Sequence, residues 1–172
     1  DIIHNELGLK AKANVVLDPT LLLAASDYES VEKSVRTPRE YVLVYSIGGA
    51  DKKLRDVSKR IASEMGVRGV FVNACRRHYV DVPFSDYLSV SPDRLAYLIH
   101  HALCVVTTSF HGVAFSLIYK RPFVAIKPSQ SKVGGRIPSL LERIGLSGNI
   151  IGENDDLDTG QLMGLLQSDF GC

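Results

Sequence analysis

Short runs of apolar and β-branched residues alternate along this chain with stretches of helical periodicity. The runs lie at residues 15–17, 41–47, 67–73, 104–108, 122–126 and 149–151. They are apolar at successive positions, so each predicted strand needs cover on both of its faces. Strands of this kind that alternate with helices are typical of a parallel sheet. The pattern therefore predicts an α/β fold with a three-layer, Rossmann-like parallel sheet.

The intervening stretches carry the spacing and the boundary residues of helices. In residues 52–65, apolar side chains recur on one face, and Gly66 is placed to end that helix. Ser91 and Pro92 favour a helix start, and Pro138 with Gly145 favours the start and end of another. Residues 24–40 are polar and rich in charge, which predicts a loop.

Composition narrows the class of protein. A chain of 172 residues fits one domain, residues 1–172. Its 20 basic and 19 acidic side chains give a net charge of +1, which is no reason to expect nucleic acid as a partner. No window has the roughly 18 consecutive apolar residues of a membrane span. Three cysteines without metal-like spacing favour a reducing compartment, and hence a cytoplasmic location. Because the chain begins with Asp1, we expect it to be part of a longer protein.

Ligands of open parallel sheets bind beyond the carboxyl ends of the strands, where loops enter helices with unpaired amides. Four loops of this kind can be read here, at residues 46–51, 73–77, 107–112 and 125–136. They collect basic side chains and also hydroxyls and glycines. The basic groups are Arg76, Arg77, His111, Lys127, Lys132 and Arg136, and the others include Ser46, Gly48, Gly49, Thr108, Ser109, Ser129 and Ser131.

His111 is the most informative of these residues. The helix that follows has an apolar stripe beside this histidine, formed by Phe110, Val113, Ala114, Leu117 and Ile118. If Ser109 caps the helix, His111 and Gly112 have amides without an intrahelical acceptor, at the positive end of the helix dipole. Gly112, a poor helix former, indicates close approach of a ligand or of a neighbouring strand. His111 could bind an anion or exchange a proton, although a surface or capping role is an equal alternative.

Other motifs are less specific. The sequence "SIGGAD" matches neither GxGxxG nor a Walker motif, so a tight turn explains it best. His100 and His101 are expected to be exposed or interfacial. Five histidines without HxH or HExxH spacing predict no metal site, and no nucleophile motif such as GxSxG occurs.

Four segments together resemble the polysaccharide pyruvyl transferase family. They are "VVLDPTLLL", "YVLVYSIGG", "VVTTSFHGVAFSLIYKRPFVAI" and "GGRIPSLLERIGL", of which Ser-Phe-His-Gly between a strand and a helix is the most specific. The resemblance implies a GT-B-like enzyme with two Rossmann-like halves, of which this chain would be the C-terminal, donor-binding half. The family transfers the enolpyruvyl group of phosphoenolpyruvate to sugar hydroxyls and so makes pyruvate ketals on bacterial exopolysaccharide, capsule or cell-wall glycans.

The resemblance also implies roles for individual residues. His111 corresponds to the family histidine that binds the donor and takes part in proton transfer, with Ser109, Phe110 and Gly112 beside it. Where many members have an arginine two residues before that histidine, this chain has Ser109. One charged anchor for the donor is thus missing or is supplied elsewhere, by Lys127, Lys132 or Arg136.

The implied partners are phosphoenolpyruvate, a glycan or lipid-linked saccharide acceptor and an N-terminal half. Acceptors of this kind also imply peripheral association with a membrane. No cofactor is implied, because phosphoenolpyruvate is a substrate. Two other readings stay open: a GT-B glycosyltransferase domain that uses a nucleotide sugar, and a non-catalytic domain that binds anions or glycans. The isolated chain is expected to be inactive, since its cleft needs a second domain.

Overall fold

The computed structural model describes residues 16–47, 52–73, 90–127, 135–152 and 154–167. Five strands in these ranges form one sheet, and all neighbouring pairs are parallel. They are β1 (Tyr41–Ser46), β2 (Arg68–Asn73), β3 (Cys104–Thr107), β4 (Phe123–Ile126) and β5 (Ile150–Ile151). Their order across the sheet is β2-β1-β3-β4-β5. The predicted parallel sheet is confirmed.

Six α-helices are present in the described residues and cover both faces of the sheet. They are α1 (Ala25–Glu29), α2 (Lys52–Glu64), α3 (Pro92–His100), α4 (Phe110–Ile118), α5 (Arg136–Arg143) and α6 (Thr159–Leu166). One apolar cluster joins the sheet to α1, α3, α4 and α5, and a second joins it to α2 and α6. These layers confirm the predicted three-layer α/β arrangement.

Strand β1 shows why the sequence forms such a sheet. All six of its residues are buried. Because successive side chains point to opposite faces, Leu43 and Tyr45 enter the first cluster and Val42 and Val44 enter the second. A strand that is apolar throughout can bury all of its side chains only between two layers of helices.

The helix ends agree with the sequence in part. Gly66 and Gly145 have φ values of +66° and +74°, as expected of glycines that end α2 and α5. However, α5 begins at Arg136, so Pro138 is its third residue and not its first. Neither Ser91 nor Ser109 makes the predicted side-chain cap, although each occupies the N-cap position.

The N-terminal part of the described chain differs more from the prediction. Val16 and Leu17 are exposed and belong to no strand, and a 3-10 helix, Pro19–Leu22, follows them. Residue 15 lies outside the described residues. The segment predicted as a loop, residues 24–40, contains α1 and a buried Val35. The prediction was based on the many charged residues of this segment, so it overlooked the few apolar side chains that reach the core. None of the described helices has the length and hydropathy to cross a membrane.

Candidate functional site

The carboxyl ends of β1 and β3 define the crevice in which the candidate site lies. These strands are neighbours in the sheet, and the connections that leave them go to opposite faces: α2 packs on one face and α4 on the other. Such a divergence is the topological switch point of an open parallel sheet, where ligands bind. The candidate ligand site, predicted only to lie along this sheet edge, is therefore located between β1 and β3.

Hydroxyl groups join the two strands at this place. Thr108 Oγ1 donates to Ser46 Oγ at 3.3 Å and accepts from the Ile47 amide at 3.4 Å. The Thr108 amide donates to the carbonyl of Tyr45 at 3.2 Å. Ser46 is buried. Polar, hydrogen-bonded side chains therefore join the carboxyl ends of β1 and β3.

His111 is the exposed polar group in the first turn of α4. It is the second residue of the helix and is exposed, whereas all residues from Gly112 to Ser116 are buried. The amides of Phe110, His111 and Gly112 precede the first i to i−4 bond, which runs from Val113 to the Ser109 carbonyl at 3.1 Å. The imidazole and these amides face the same end of the helix dipole, which favours an anion. The predicted position of His111 beside the buried face is confirmed.

The buried face of α4 differs from the predicted stripe. It includes Phe115 and Ser116, while the predicted members Phe110, Leu117 and Ile118 are only half-buried. Ser116 is tolerated inside because its hydroxyl donates to the Gly112 carbonyl at 2.7 Å. The helix is enclosed between α3, α5 and the sheet, and a stripe analysis cannot detect such burial on several sides.

Ser109 contributes a buried hydroxyl rather than a cap. The residue is 1% exposed, and its Oγ has no hydrogen-bond partner in the part of the chain that the structure describes. Burial raises the pKa of the neighbouring Tyr45 phenol, and the nearby Ser109 hydroxyl opposes this with a smaller lowering of the pKa. The two hydroxyls do not, however, have the geometry of a hydrogen bond. An unpaired buried hydroxyl costs about 1–3 kcal/mol. The Ser109 hydroxyl therefore has unused hydrogen-bonding capacity among the described residues.

Gly112 allows α4 to approach β3 closely. A Cβ atom at this position would lie 2.3 Å from Thr107 Oγ1. That oxygen donates to the Tyr45 carbonyl at 2.8 Å and accepts from the Ser109 amide at 3.0 Å. The sequence left two explanations for a glycine at this position, close approach of a ligand or of a neighbouring strand. The overlap with Thr107 shows that the neighbouring strand excludes a side chain here. The Gly112 amide still points out of the helix start.

Arg136 reaches this helix start from α5. Its guanidinium carbon lies 4.0 Å from the centre of the Phe110 ring, a cation–π contact. Its Nη2 lies 2.5 Å from Oδ2 of Asp18. The side chain of Arg136 is 54% exposed and that of Asp18 is 17% exposed. The structure thus brings Arg136, Phe110 and His111 together, as the sequence predicted, and adds a carboxylate to them.

Asp18 is the member of the group that sequence reasoning missed. Its Oδ1 accepts from the Thr20 amide at 3.1 Å at the start of the 3-10 helix. The pKa of Asp18 is lowered, first by its hydrogen bonds with Thr20 and then by the charges of His111 and Arg136. The signal was present in "DPTLLL", which supported the resemblance but was not connected to His111, because 93 positions separate the residues numbered 18 and 111.

The lowered pKa of Asp18 leads to a prediction about stability. The ionised carboxylate contributes stability above its unfolded pKa of about 3.9, and this contribution is lost as the pH falls through the lower folded pKa. Asp18→Asn keeps an oxygen for the Thr20 amide but removes the charge that pairs with Arg136. We expect a loss of about 1 kcal/mol or less at pH 7, measured by urea unfolding. The difference from the unmodified protein should shrink at pH values well below about 4, and a constant difference would contradict the assignment.

The other predicted residues divide into two groups. Lys127 follows β4, where its side chain is exposed and its amide donates to the Ile151 carbonyl at 2.9 Å. It lies at the same sheet edge, two strands from β1. Gly48, Gly49, Arg76, Arg77, Ser129, Ser131 and Lys132 lie outside the described residues.

The fold defines an α/β protein with a covered parallel sheet, whose switch point between β1 and β3 is the candidate ligand site. The family model described as Polysaccharide pyruvyl transferase matches residues 1–130 of the 172, and the chain belongs to that family. The matched range contains Asp18, Ser46, His111 and Lys127 and ends before Arg136. No match was found among curated proteins or among solved structures.

Proposed function

We propose that this chain forms the donor-binding half of an enzyme that transfers the enolpyruvyl group of phosphoenolpyruvate to sugar hydroxyls. The product is a pyruvate ketal on an exopolysaccharide, capsule or cell-wall glycan. The observation that carries the proposal is the exposed His111 at the switch point, among first-turn amides that have no intrahelical acceptor and beside Asp18 and Arg136. Family membership supports the assignment of a transferase.

The groups at this edge suit the charges of the donor. Phosphoenolpyruvate carries a phosphate and a carboxylate, and each needs cationic groups or amide donors. The first amides of α4 and the His111 ring suit one anion, while Arg136 and Lys127 suit the other. The buried Ser109 hydroxyl supplies a further donor below the helix start. These groups take the place of the arginine that many members have two positions before the histidine.

The reaction needs one proton at carbon and two sugar hydroxyls. The first hydroxyl oxygen bonds to C2 of the donor and gives up its proton to a base, while C3 receives a proton from an acid. The double bond is lost and a phosphate-bearing tetrahedral carbon forms. The second hydroxyl oxygen then bonds to C2 as the C2–O bond to phosphate breaks, and its proton leaves with phosphate or with a base. His111 is the acid/base group in this scheme or binds the departing phosphate. No metal ion takes part.

Asp18 acts as a positioning residue in this scheme. Its carboxylate holds the Arg136 guanidinium over the Phe110 ring, so that the cation lies beside the start of α4 before the donor binds. A preformed cation costs less side-chain entropy on binding than one that must be recruited. The lowered pKa of Asp18 keeps its carboxylate ionised at more acidic pH than an ordinary aspartate.

The whole enzyme is proposed to be of the two-domain GT-B kind, with a glycan or lipid-linked saccharide acceptor held between this chain and an N-terminal half. A cytoplasmic location and peripheral contact with a membrane follow from acceptors of that kind. On this proposal the isolated chain binds the donor but does not complete the reaction.

A GT-B glycosyltransferase is the second candidate, because the crevice at a switch point also accepts the diphosphate of a nucleotide sugar. A non-catalytic anion-binding domain is the third. A titration of the chain at low salt distinguishes them, with the His111 ring signals followed by NMR. Shifts with phosphoenolpyruvate alone would support the proposal, whereas shifts with one nucleoside diphosphate alone would support the glycosyltransferase. Silence with all ligands would contradict a donor site at His111.

The same titration tests Arg136. We expect Arg136→Ala to weaken phosphoenolpyruvate binding about tenfold, because a hydrogen bond to a charged group contributes about 1.5–3 kcal/mol and partial exposure reduces it. Arg143→Ala is the matched control, since Arg143 lies exposed in the last turn of the same helix. Equal affinities of the two variants would remove Arg136 from the donor site.

A further inference from the structure

A second cluster of polar side chains lies at the other end of the sheet. Glu32, His100 and His101 each offer one ligand atom, and these atoms all lie within 4.8 Å of one another. The two histidines end α3, which leads into the amino end of β3. His111 follows the carboxyl end of β3, and α4, of nine residues and about 13 Å, separates the two places. We propose that Glu32, His100 and His101 bind a divalent transition-metal ion, with Zn²⁺ as the probe.

The distance between the first two ligands suits a tetrahedral ion. His100 Nδ1 lies 3.1 Å and 3.3 Å from the two carboxylate oxygens of Glu32. Two ligands that are each about 2.0–2.1 Å from Zn²⁺ lie about 3.3–3.4 Å apart in a tetrahedral site. His101 can complete a set of three if its ring moves toward the other two ligands, since the three ligand atoms already lie within 4.8 Å of one another. Since His101 is exposed, the fourth position is open to water.

Neighbouring groups orient both rings for this role. His101 Nδ1 lies 2.9 Å from the Tyr97 carbonyl, which can only accept, so this nitrogen donates and Nε2 keeps a lone pair. His100 Nε2 lies 3.8 Å from Oε1 of Glu29, beyond hydrogen-bond distance but close enough for the carboxylate to attract the proton on Nε2 when a metal ion occupies Nδ1. Metal-binding histidines commonly donate their second nitrogen to a carboxylate or a carbonyl in this way.

Stacking limits the freedom of both rings. His100 stacks on Tyr119 with centroids 4.5 Å apart and an angle of 5° between the planes. His101 stacks on Tyr97 at 4.1 Å and 25°. The Glu32 side chain is only 9% exposed. His100 and Glu32 therefore lose little conformational entropy when an ion binds, while the exposed His101 ring has more to lose.

A simple ion pair is the alternative explanation. A protonated His100 between Glu29 and Glu32 would account for those contacts, but it assigns no role to His101. It would also leave one positive imidazole to balance two carboxylates. The nearby Lys33 does not supply the missing charge, because it is paired with Asp93 at 2.9 Å. A divalent ion balances both carboxylates and uses all three ligands. Imidazole with carboxylate suits Zn²⁺ rather than Mg²⁺ or Ca²⁺.

The ion would hold α1 and the residues after it against α3. The Tyr28 hydroxyl in α1 donates to the Thr20 carbonyl at 2.9 Å, so α1 is connected to the turn that carries Asp18. A bound ion should therefore stabilise the folded chain, because it binds only when Glu32 and the two histidines are assembled.

Calorimetry with the chelator-treated, dialysed chain tests the proposal. We expect one Zn²⁺ ion to bind to the cluster and to raise the melting temperature of the chain. Co²⁺ bound in its place should give the visible absorption of a tetrahedral site. His101→Ala should weaken this binding at least tenfold. Because His101 is exposed, this variant is expected to fold. Glu32→Gln should weaken it similarly, whereas Mg²⁺ should have no effect.

His111→Ala is the matched control, since it removes an exposed histidine at the other sheet edge and should keep the Zn²⁺ affinity. Unchanged affinity and stoichiometry in both His101→Ala and Glu32→Gln would assign the ion to other residues and overturn the proposal. Absence of binding by the unmodified chain would overturn it too, and would leave the cluster as a histidine–carboxylate ion pair.

Discussion

Replacing His111 by alanine in the full-length enzyme should lower the turnover of phosphoenolpyruvate about 10²–10⁴-fold, the range that a positioned acid or base contributes. The melting temperature should stay close to that of the unmodified enzyme, because the side chain is exposed at the start of α4 and supports no part of the core. The measurement is the rate of phosphate release in the presence of the acceptor glycan.

Two further variants make this result specific. His111→Gln keeps a polar side chain of similar length but cannot carry the proton, so it should be as slow as His111→Ala. Lys59→Ala removes an exposed cation from α2, far from the start of α4 in the sequence, and should keep the full rate. Normal turnover by His111→Ala would remove His111 from the chemistry, even if the family assignment stands.

Gly112→Ala is expected to be the most destabilising single substitution at the site. The added Cβ would lie 2.3 Å from Thr107 Oγ1 and 2.9 Å from Thr107 Cβ. Relief of this overlap moves α4 away from β3 or breaks the bonds that Thr107 makes with Tyr45 and Ser109. Overpacking of about 1–3 kcal/mol and lost hydrogen bonds of about 1 kcal/mol each predict a loss of about 2–5 kcal/mol in the free energy of unfolding, measured with urea.

Gly164 offers a matched control, because it is also a helical glycine but a Cβ there meets nothing within 4 Å. Gly164→Ala should be neutral or stabilise the protein by up to about 1 kcal/mol. A double mutant of Gly112→Ala with Thr107→Ala should lose less stability than the sum of the single changes, because removal of Oγ1 relieves the shortest contact. Strict additivity would show that Thr107 is not what excludes a side chain at position 112.

Zinc binding at Glu32, His100 and His101 could not be read from the sequence. The histidines are adjacent, so they lack the HxH or HExxH spacing of common metal sites. Their shared position depends on the segment after α1, which brings Glu32 back to the end of α3. That segment was predicted to be a loop.

Local signals explain the parts of the fold that were predicted correctly. Runs such as Tyr41–Ser46 are apolar on both faces, and only a covered parallel sheet buries them. Gly66 and Gly145 end helices because their positive φ values are easy only for glycine. Pro138 was misread because proline is tolerated anywhere in the first turn of a helix, where amides have no intrahelical partner.

The sequence by itself determined the α/β class, the family and the position of His111 at the start of a helix, since each depends on residues that are close along the chain. Only the tertiary structure decided which strands meet at the switch point, that Gly112 yields space to Thr107, and that Asp18 pairs with Arg136 beside His111. These are contacts between distant or separately folded segments, and their energies depend on packing and distance that no local pattern encodes.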